Sequence, residues 1–439
     1  MLTSKISPFI LALALIFIPL YPKFPLLGVP GSFVSIRFED LLIACIFILF
    51  LFTQLKTKFQ SLSAPLPRSL LLYLAIGFIA AFSGIFLTKT ASLSLGLLHS
   101  LRRVEYAVLF FAAFAWLNSL SQLRYLVRVI IITSLLVALY GLGQQFLDFP
   151  VVTTTNSEFS KGLALSLGPG ARINSTFAGH YDLAAFSVFP LLLIIALLPI
   201  SSLPGLLVIG AGMIYWTLLL SASRITFVSF FVAASALILL IRKPFWLLPL
   251  FSAAFLGVFF SPQLKGRYLD FITNHLRLTY IQSVSAQVEN KDVNDVPDAL
   301  KPPEVPEDRS FNIRLKAEWP KALRAFTKNP VLGTGFSSVG LAVDNDYLRT
   351  LAETGLLGLA AFVLIFLRFF KSGLPFVVRY TPSVSHAFIV AITCSVLGLL
   401  INAVFIDVFA ASKIAMFTWA VMGLAERTKL LAISNPHAT

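Results

Sequence analysis

The chain alternates between long apolar runs and short polar connections. A helix that crosses a bilayer needs roughly 20 mostly apolar residues, and about 12 runs approach that length. The candidate spans are 7–22, 39–55, 69–88, 104–118, 125–147, 181–200, 203–222, 224–241, 244–262, 350–370, 384–406 and 409–425. Lipid offers no partner to unpaired backbone groups, and no alternating barrel pattern is present. The pattern therefore predicts an all-α polytopic membrane protein.

One long polar stretch, residues 263–349, interrupts this pattern. No run within it is long enough to span a bilayer, so we predict a large loop between two sets of helices. The first set, about nine spans, occupies 1–262, and the second, about three spans followed by a tail, occupies 350–439. The first run of the chain is interpreted as a retained helix rather than a cleaved signal peptide.

Within this loop, two short helices are expected near 266–285 and 310–328. Asn329 and Pro330 should end the second helix, because proline cannot continue the hydrogen-bond ladder. Between the two, residues 288–310 are acidic and rich in proline, which is typical of an irregular excursion.

Composition agrees with a membrane protein. Hydrophobic residues make up 57% of the chain and charged residues 12%, whereas soluble domains carry about 25% charged residues. A soluble enzyme, a nucleic-acid-binding protein and a disordered scaffold are therefore disfavoured. The net charge of +14 would otherwise favour a nucleic-acid partner, so the positions of the basic residues have to be examined.

The basic residues lie mainly in short loops on one side of the predicted helices. They are Lys5, Lys56, Lys58, Arg68, Arg124, Arg128, Arg242, Lys243, Arg368, Lys371, Arg379, Arg427 and Lys429. Glu426 is the one acidic residue predicted in those loops. Cytoplasmic loops are enriched in Lys and Arg. We therefore predict that both termini are cytoplasmic, that the 263–349 loop is extracytoplasmic, and that the charge orients helices rather than binding nucleic acid.

Arginines on the predicted outer side are the first candidates for chemistry. Arg224 lies between two apolar runs, Arg172 lies before a span, and Arg267, Arg277, Arg309 and Arg314 lie in the large loop. Arginine near a membrane anchors to headgroups, forms a structural ion pair or binds an anionic ligand. Its planar guanidinium fits phosphate oxygens and stabilises a departing phosphate. These six residues are therefore candidate pyrophosphate ligands.

A second candidate is the segment that opens the next span, Asp344-Asn345-Asp346-Tyr347-Leu348. A carboxylate at a helix N-terminus is commonly a cap. The alternative is a general base that accepts a proton from a sugar hydroxyl. No P-loop, dinucleotide-binding spacing or zinc-ligand spacing accompanies it, so no metal or other cofactor is expected and any donor must already be activated.

Several motifs occur together in a characteristic order. They are Ser221-Ala-Ser-Arg224, Arg314-Leu-Lys-Ala-Glu-Trp319, Asn329-Pro-Val-Leu-Gly-Thr-Gly335, Asp344-Asn-Asp-Tyr-Leu348 and Glu353-Thr-Gly355, after Ile36-Arg-Phe-Glu-Asp-Leu-Leu42 and the 172–182 segment. In this order the chain resembles the O-antigen ligase/polymerase superfamily of bacterial envelope glycan enzymes. The resemblance covers most of the chain.

The resemblance implies a GT-C-like glycosyltransferase of the bacterial inner membrane. Such enzymes take glycan from undecaprenyl pyrophosphate, without a metal, and the acceptor is a glycan or a glycolipid. Ligases transfer the glycan to lipid A–core in lipopolysaccharide biosynthesis, and polymerases join repeat units. The two arginines critical in ligases correspond to Arg224 and Arg314, and the critical histidine corresponds to Asp344. That departure favours a polymerase or a different acceptor over a lipopolysaccharide ligase.

The resemblance therefore implies catalytic roles for Arg224, Arg314 and Asp344. The expected substrate-binding residues are Arg172, His180, Asn345, Tyr347 and Arg309. Inverting transfer in a single step is expected, with Asp344 as base. A secondary transporter or a flippase for a lipid-linked glycan is the alternative, since about 12 spans also suit a transporter. Asp407 and Lys413 could then form an ion site, although an interfacial pair of the two is favoured.

Overall fold

A computed structural model describes residues 2–22, 24–28, 35–152, 164–165, 171–261, 313–340 and 343–434. Thirteen α-helices lie in these ranges. They are α1 (Leu2–Leu20), α2 (Phe38–Lys56), α3 (Pro65–Phe82), α4 (Leu93–Trp116), α5 (Leu120–Phe146), α6 (His180–Leu197), α7 (Pro204–Leu220), α8 (Arg224–Leu240), α9 (Leu247–Phe260), α10 (Trp319–Lys328), α11 (Asp346–Val378), α12 (Val384–Asn402) and α13 (Ser412–Ser434).

All helices except α10 coincide with a predicted span, so the mostly helical class is confirmed. By length and composition, six helical segments are able to cross a membrane, and four shorter apolar helices accompany them. The protein is therefore a multi-pass membrane protein. The full count of spans and the GT-C-like arrangement stay predictions.

The predicted boundaries fail where charged residues lie inside a helix. The helix α4 begins at Leu93 rather than at 104 and so includes Arg102, Arg103 and Glu105. A hydropathy window stops at such residues, whereas the fold buries them against partners from other helices. Likewise, α13 extends to Ser434, so Lys429 and Glu426 lie in a helix rather than in the predicted cytoplasmic loop.

Helix ends follow local rules. Ser92, Ser119, Ser383 and Asn345 each accept a backbone N–H and cap their helices. Small residues allow close packing in the centre, where α4 meets α13 and a Cβ on Gly423 would collide with the Phe110 carbonyl. The outer faces of α2 and α9 remain apolar and exposed, as lipid-facing surfaces require.

Two short antiparallel ribbons were not predicted. The strands β1 (Pro25–Gly28) and β2 (Ser35–Arg37) form one ribbon, and β3 (Val151–Val152) and β4 (Ala164–Leu165) form the other. Strands of two to four residues are too short for an alternating pattern to be visible in the sequence. Both ribbons lie in connections between helices, so the mostly helical class is unaffected.

The described C-terminal part of the large loop, from residue 313, is partly helical. A π-turn at Arg314–Glu318 leads into α10, which ends at Lys328 immediately before Asn329 and Pro330. The predicted helix near 310–328 is thus confirmed from Arg314 onward, with its stop where expected. The expected helix at 266–285, the 288–310 segment and Arg309 lie outside the described residues.

Candidate functional site

Arg314 and Asp344 form the centre of the candidate site. Nε and Nη2 of Arg314 donate to Oδ2 of Asp344 at 3.0 and 2.7 Å. Both bonds end on the same oxygen, so Oδ1 is not engaged by Arg314. The Asp344 side chain is 34% exposed and that of Arg314 is 11% exposed. The pair is therefore assembled in advance yet accessible to a ligand.

The backbone at Asp344 is unusual. Its φ is +50°, in the left-handed region that Asp and Asn tolerate better than other non-glycine residues. The segment leads directly into α11, whose N-cap is Asn345. The Asn345 side chain accepts the N–H of Leu348 at 2.9 Å, so the capping role considered for Asp344 falls to its neighbour. Asp344 is left to project toward Arg314.

Asp407, between α12 and α13, fixes this turn. Its carboxylate accepts three consecutive backbone N–H groups, from Val343 at 3.2 Å, Asp344 at 3.1 Å and Asn345 at 3.1 Å. Arg349 donates to the same carboxylate at 2.7 Å. A carboxylate with this many donors is a rigid anchor, and it sets the direction in which the Asp344 side chain points.

The favoured interpretation of Asp407 and Lys413 as a pair is wrong. Whereas Asp407 binds Arg349, the buried Lys413 ammonium donates to the carbonyls of Pro19 at 3.3 Å, Tyr21 at 2.5 Å and Thr176 at 2.7 Å. Lys413 thereby joins α13 to the end of α1 and to the segment before α6. The sequence showed two opposite charges near one helix end but not which backbone groups face them.

Arg349 extends the ionic network into the helices. Its guanidinium also lies 3.4 Å from Glu353 one turn along α11 and donates to the carbonyl of Gly340 at 3.1 Å. Arg103 on α4 lies 4.0 Å from Glu353 and donates to the Phe409 carbonyl at 2.7 Å. These buried charges are each matched by an opposite charge, which burial requires.

The glycine-rich turn before Asp344 packs against a break in α11. Gly355 has a φ of +67° and interrupts the helical geometry, while the N–H groups of Thr334 and Gly335 donate to the carbonyls of Ala352 and Glu353 at 2.9 Å each. A Cβ on Gly333 would overlap the backbone at Glu353. The turn thus requires glycine, and it braces the α11 segment that carries Arg349.

Residues at the start of α6 approach the centre from the other side. Tyr181 lies close enough to the Arg314 guanidinium to help raise its pKa. The adjacent His180 shares a hydrogen bond of 2.8 Å with Nη1 of Arg172. The structure therefore brings Arg172 and His180 to the neighbourhood of Arg314 and Asp344, linked through Tyr181, which sequence reasoning did not select.

Tyr347 lies against the protein core. Its hydroxyl donates to the Leu400 carbonyl at 2.8 Å, and its ring lies edge-on to that of Phe362, with centroids 6.4 Å apart. Asp346, the next residue toward the turn, accepts the N–H of Phe409 at 2.9 Å. Both side chains attach the start of α11 to α12 and to the segment that carries Asp407.

Arg224 is the first residue of α8, and its side chain is half-buried. Below it, Thr226 donates to Asn402 Oδ1 at 2.9 Å and Asn402 donates to Ser229 at 2.8 Å, so α8 and the end of α12 are tied together. Within the described ranges, no hydrogen bond or ion pair joins Arg224 to Arg314 or Asp344. The start of α8, which carries Arg224, thus lies beside the end of α12, and Tyr347 binds the same helix end through the Leu400 carbonyl.

Electrostatics distinguish the two carboxylates of the turn. Burial raises the pKa of Asp344 above its ordinary value, and the opposing attraction of Arg314 offsets this only in part. For Asp407, burial alone would raise the pKa, but Arg349 and the backbone N–H groups lower it below its ordinary value. Asp344 is therefore the carboxylate suited to exchange a proton, and Asp407 the one that stays ionised.

Sequence reasoning paired Asp407 with Lys413 and so missed its contacts with Arg349 and the 343–345 backbone. It also did not select Arg349, Glu353, Arg103 or Tyr181 as site residues. A usable signal existed for two of them, because Arg349 and Glu353 are opposite charges four residues apart inside an apolar run, where isolated charges are expensive. Tyr181 adjoined the selected His180. Arg103 and Asp407 lie far away in sequence, and only the fold reveals their contacts.

The molecule thus combines membrane-type helices with a part-open, ionic site at one end of the bundle, as in a membrane-embedded enzyme. Comparison with protein families matches residues 205–363 to the family described as O-Antigen ligase. This match supports the resemblance to the O-antigen ligase/polymerase superfamily over residues 205–363, which contain Arg224, Arg314 and Asp344. The resemblance read from the sequence motifs is confirmed.

A search of curated proteins gave no match to this chain. The family match implies an enzyme of the ligase/polymerase type that transfers glycans. Residues 1–204, including Arg172 and His180, and residues 364–439, including Asp407, lie outside the matched region.

Proposed function

We propose that this protein transfers a glycan from undecaprenyl pyrophosphate to a sugar hydroxyl of an acceptor at the extracytoplasmic face of the bacterial inner membrane. The transfer is inverting and needs no metal. The observation that carries the proposal is the Asp344–Arg314 pair at 2.7 Å, in which the Asp344 side chain is 34% exposed, inside a region matched by the O-antigen ligase family. It supplies a base and a phosphate-binding cation at one place.

The resting pair supports an exchange of partners. A diphosphate offers Arg314 more acceptor oxygens and more negative charge than Asp344 does. When the donor binds, Arg314 turns to the diphosphate and the Asp344 carboxylate becomes available to the acceptor. Donor binding thus prepares the base, which limits proton uptake from water before both substrates are present.

Transfer then takes place in a single step. The acceptor hydroxyl gives its proton to Asp344 and its oxygen forms a bond to the anomeric carbon. The bond from that carbon to the diphosphate oxygen breaks, and its electron pair leaves with undecaprenyl pyrophosphate. Attack from the side opposite to the leaving group inverts the anomeric centre. Arg314 and Arg224 stabilise the charge on the departing diphosphate.

The remaining candidates position these groups. Asn345 caps α11 and Tyr347 binds the Leu400 carbonyl, so we assign both to holding Asp344 in place beside the acceptor. Arg172, hydrogen-bonded to His180, is assigned to the glycan or phosphate of the donor. Arg309 has the same assignment from its sequence position alone. The absence of a histidine at position 344 favours joining of repeat units over transfer to lipid A–core.

Purified protein in liposomes tests the proposal. With lipid-linked repeat units as sole substrate, we expect longer lipid-linked glycans and release of undecaprenyl pyrophosphate, without nucleotide and in the presence of a metal chelator. Energy-dependent movement of the unchanged lipid-linked glycan across the bilayer, with no new glycosidic bond, would contradict the proposal and favour a transporter or flippase. Mass analysis of the products distinguishes the two outcomes.

A further inference from the structure

A second ionic cluster lies near the first, at the start of α2 and on α4. It consists of Arg37, Glu39, Asp40, Arg102 and Glu105, and we call it the α2–α4 polar cluster. Its first three members belong to the Ile36–Leu42 motif, for which the transfer mechanism above has no use. The cluster reaches the surface, because four of its side chains are 15–19% exposed while Glu39 is fully buried.

The cluster is only loosely bonded internally. Asp40 accepts the backbone N–H of Arg37 at 2.9 Å and a bond from Arg102 at 3.3 Å. The Arg37–Glu39 pair is 3.6 Å apart and the Arg102–Glu105 pair 3.9 Å. These distances are longer than those of well-formed ionic hydrogen bonds. Asp407 differs in the number of its bonds, since it accepts four, at 2.7 to 3.2 Å.

Within the part of the chain that the structure describes, five buried polar atoms of this cluster have no hydrogen-bond partner. They are Arg37 Nε, both carboxylate oxygens of Glu39, Asp40 Oδ1 and Glu105 Oε1. Such atoms are rare in folded proteins, and here they lie together. The carboxyl groups of Asp40 and Glu105 are neighbours, and one shared proton would satisfy that pair. It would leave the buried Glu39 carboxylate and Arg37 unsatisfied.

The charge pattern defines what fits. Three carboxylates against two guanidinium groups give a formal balance of −1 (2 − 3) when all are ionised. Groups of both signs are interleaved, so a bare cation and a phosphate would each meet unfavourable charges beside favourable ones. A neutral hydroxyl can donate to a carboxylate oxygen and accept from a guanidinium N–H at the same time. The matching ligand class is therefore a polyhydroxyl compound, that is, an uncharged sugar.

The cluster is also connected to the candidate site. Arg103 follows Arg102 on α4 and donates to the Phe409 carbonyl at 2.7 Å, in the connection that carries Asp407. Tyr106 donates to the adjacent Ala410 carbonyl at 3.4 Å. One face of α4 thus holds the α2–α4 polar cluster while another contacts the network behind Asp344.

We propose that the α2–α4 polar cluster is the acceptor-sugar subsite, in which Glu39 and Arg37 bind hydroxyl groups of the acceptor glycan. The proposal rests on the transfer function proposed above and adds the place where the second substrate is held. Arg37 Nη1 lies 3.6 Å from Oε1 of the buried Glu39, and the Arg37 side chain is itself 17% exposed, so the ligand is expected to reach Glu39 by displacing the Arg37 side chain. The ligand then completes the hydrogen bonds that the cluster lacks.

The probe is the repeat-unit oligosaccharide released from its carrier by mild acid. It has no diphosphate, so it cannot act as donor but can compete for the acceptor subsite. Its inhibition constant is measured against glycan elongation by the purified protein, and binding of undecaprenyl pyrophosphate is measured separately. We expect Glu39→Gln and Arg37→Gln each to raise the inhibition constant about tenfold or more, with unchanged undecaprenyl pyrophosphate binding.

Glu426→Gln is the matched control, since it makes the same change in a carboxylate of α13 that binds Ser372 near the C-terminal end of α11. The inhibition constant of this variant should equal that of the wild type. Wild-type inhibition constants in both cluster variants would overturn the subsite, as would failure of millimolar oligosaccharide to inhibit wild-type elongation. A lowered melting temperature without a change in inhibition would make the cluster purely structural. If the wild type forms no glycosidic bond at all, the proposed function itself fails.

Discussion

The two ends of the helical bundle contain similar ion pairs in different surroundings. At the Asp344 end, Arg314 and Asp344 are 2.7 Å apart and the carboxylate is 34% exposed. At the other end, Lys429 and Glu426 are 3.0 Å apart and only 3% and 11% exposed. Lys429 also donates to the Phe369 carbonyl and to Ser372.

The comparison separates an ion pair that holds the fold from one that is available for chemistry. Lys429 and Glu426 are enclosed on α13 against α11, and further bonds to Ser372 complete the site. Asp344 instead stands on a left-handed turn that Asp407 fixes from behind. The ion-pair distances are similar at the two ends, so the difference lies in the exposure of the carboxylate and in the bracing of the Asp344 backbone.

The strongest way to break this comparison is to remove the cation at each end. Arg314→Gln should reduce transfer on the order of 10³-fold, because a preorganised donor to the leaving diphosphate is lost. Lys429→Met should lower thermal stability, since Glu426 is left buried without its partner. Its transfer rate per folded protein should stay within about twofold of wild type. Equal losses of transfer rate in both variants would contradict the assignment of the Arg314–Asp344 pair to transfer and of the Lys429–Glu426 pair to stability.

The brace behind Asp344 gives the next effect in size. Asp407→Asn replaces an acceptor of four bonds by an amide that cannot accept at its nitrogen, so the 343–345 turn loosens and Arg349 loses its charge partner. Transfer should fall about tenfold or more, with a clear drop in melting temperature. Binding of undecaprenyl pyrophosphate should fall much less, and an equal loss of binding and rate would contradict a positioning role.

The sequence predicts the helices better than it predicts the contacts of the candidate site. The apolar runs predicted the helices well, because burial in lipid is a local property of composition. They failed at α4, where Arg102 and Arg103 are matched by charges from distant parts of the chain. Arg314 and Asp344 were selected from motif order, and the structure joins them. The brace through Asp407 was not predictable, since it is formed by backbone N–H groups 62 to 64 residues away.

The pH profile sharpens the difference between Asp344 and Asp407. A base must be ionised, so transfer is lost as pH falls through the pKa of Asp344. Burial raises that pKa, Arg314 lowers it in part, and of the flanking groups Asp407 raises it and Arg349 lowers it. The acid limb should therefore lie above the value of about 4 typical of exposed Asp. The Arg314→Gln variant lacks the charge that lowers the pKa of Asp344. The acid limb of its residual activity should therefore lie at still higher pH.

The smallest expected effect is at Tyr347. Tyr347→Phe removes the hydroxyl that donates to the Leu400 carbonyl, and a single neutral hydrogen bond contributes about 1 kcal/mol. Stability should decrease by about that amount, and transfer by less than about fivefold. Ser372→Ala, which removes a hydroxyl near the Lys429 end, is the matched control and should leave the transfer rate unchanged. A loss of 100-fold in Tyr347→Phe would instead place this hydroxyl on the substrate.

The most direct measurement compares Asp344→Asn with Glu426→Gln in the reconstituted transfer assay. Asparagine keeps the side-chain shape and tolerates the φ of +50°, so the fold is retained while the base is removed. For Asp344→Asn we expect a loss of at least about 100-fold in glycan transfer with normal binding of undecaprenyl pyrophosphate, and for folded Glu426→Gln we expect near-normal transfer. Wild-type transfer by a correctly inserted Asp344→Asn protein would contradict the role of Asp344 as base.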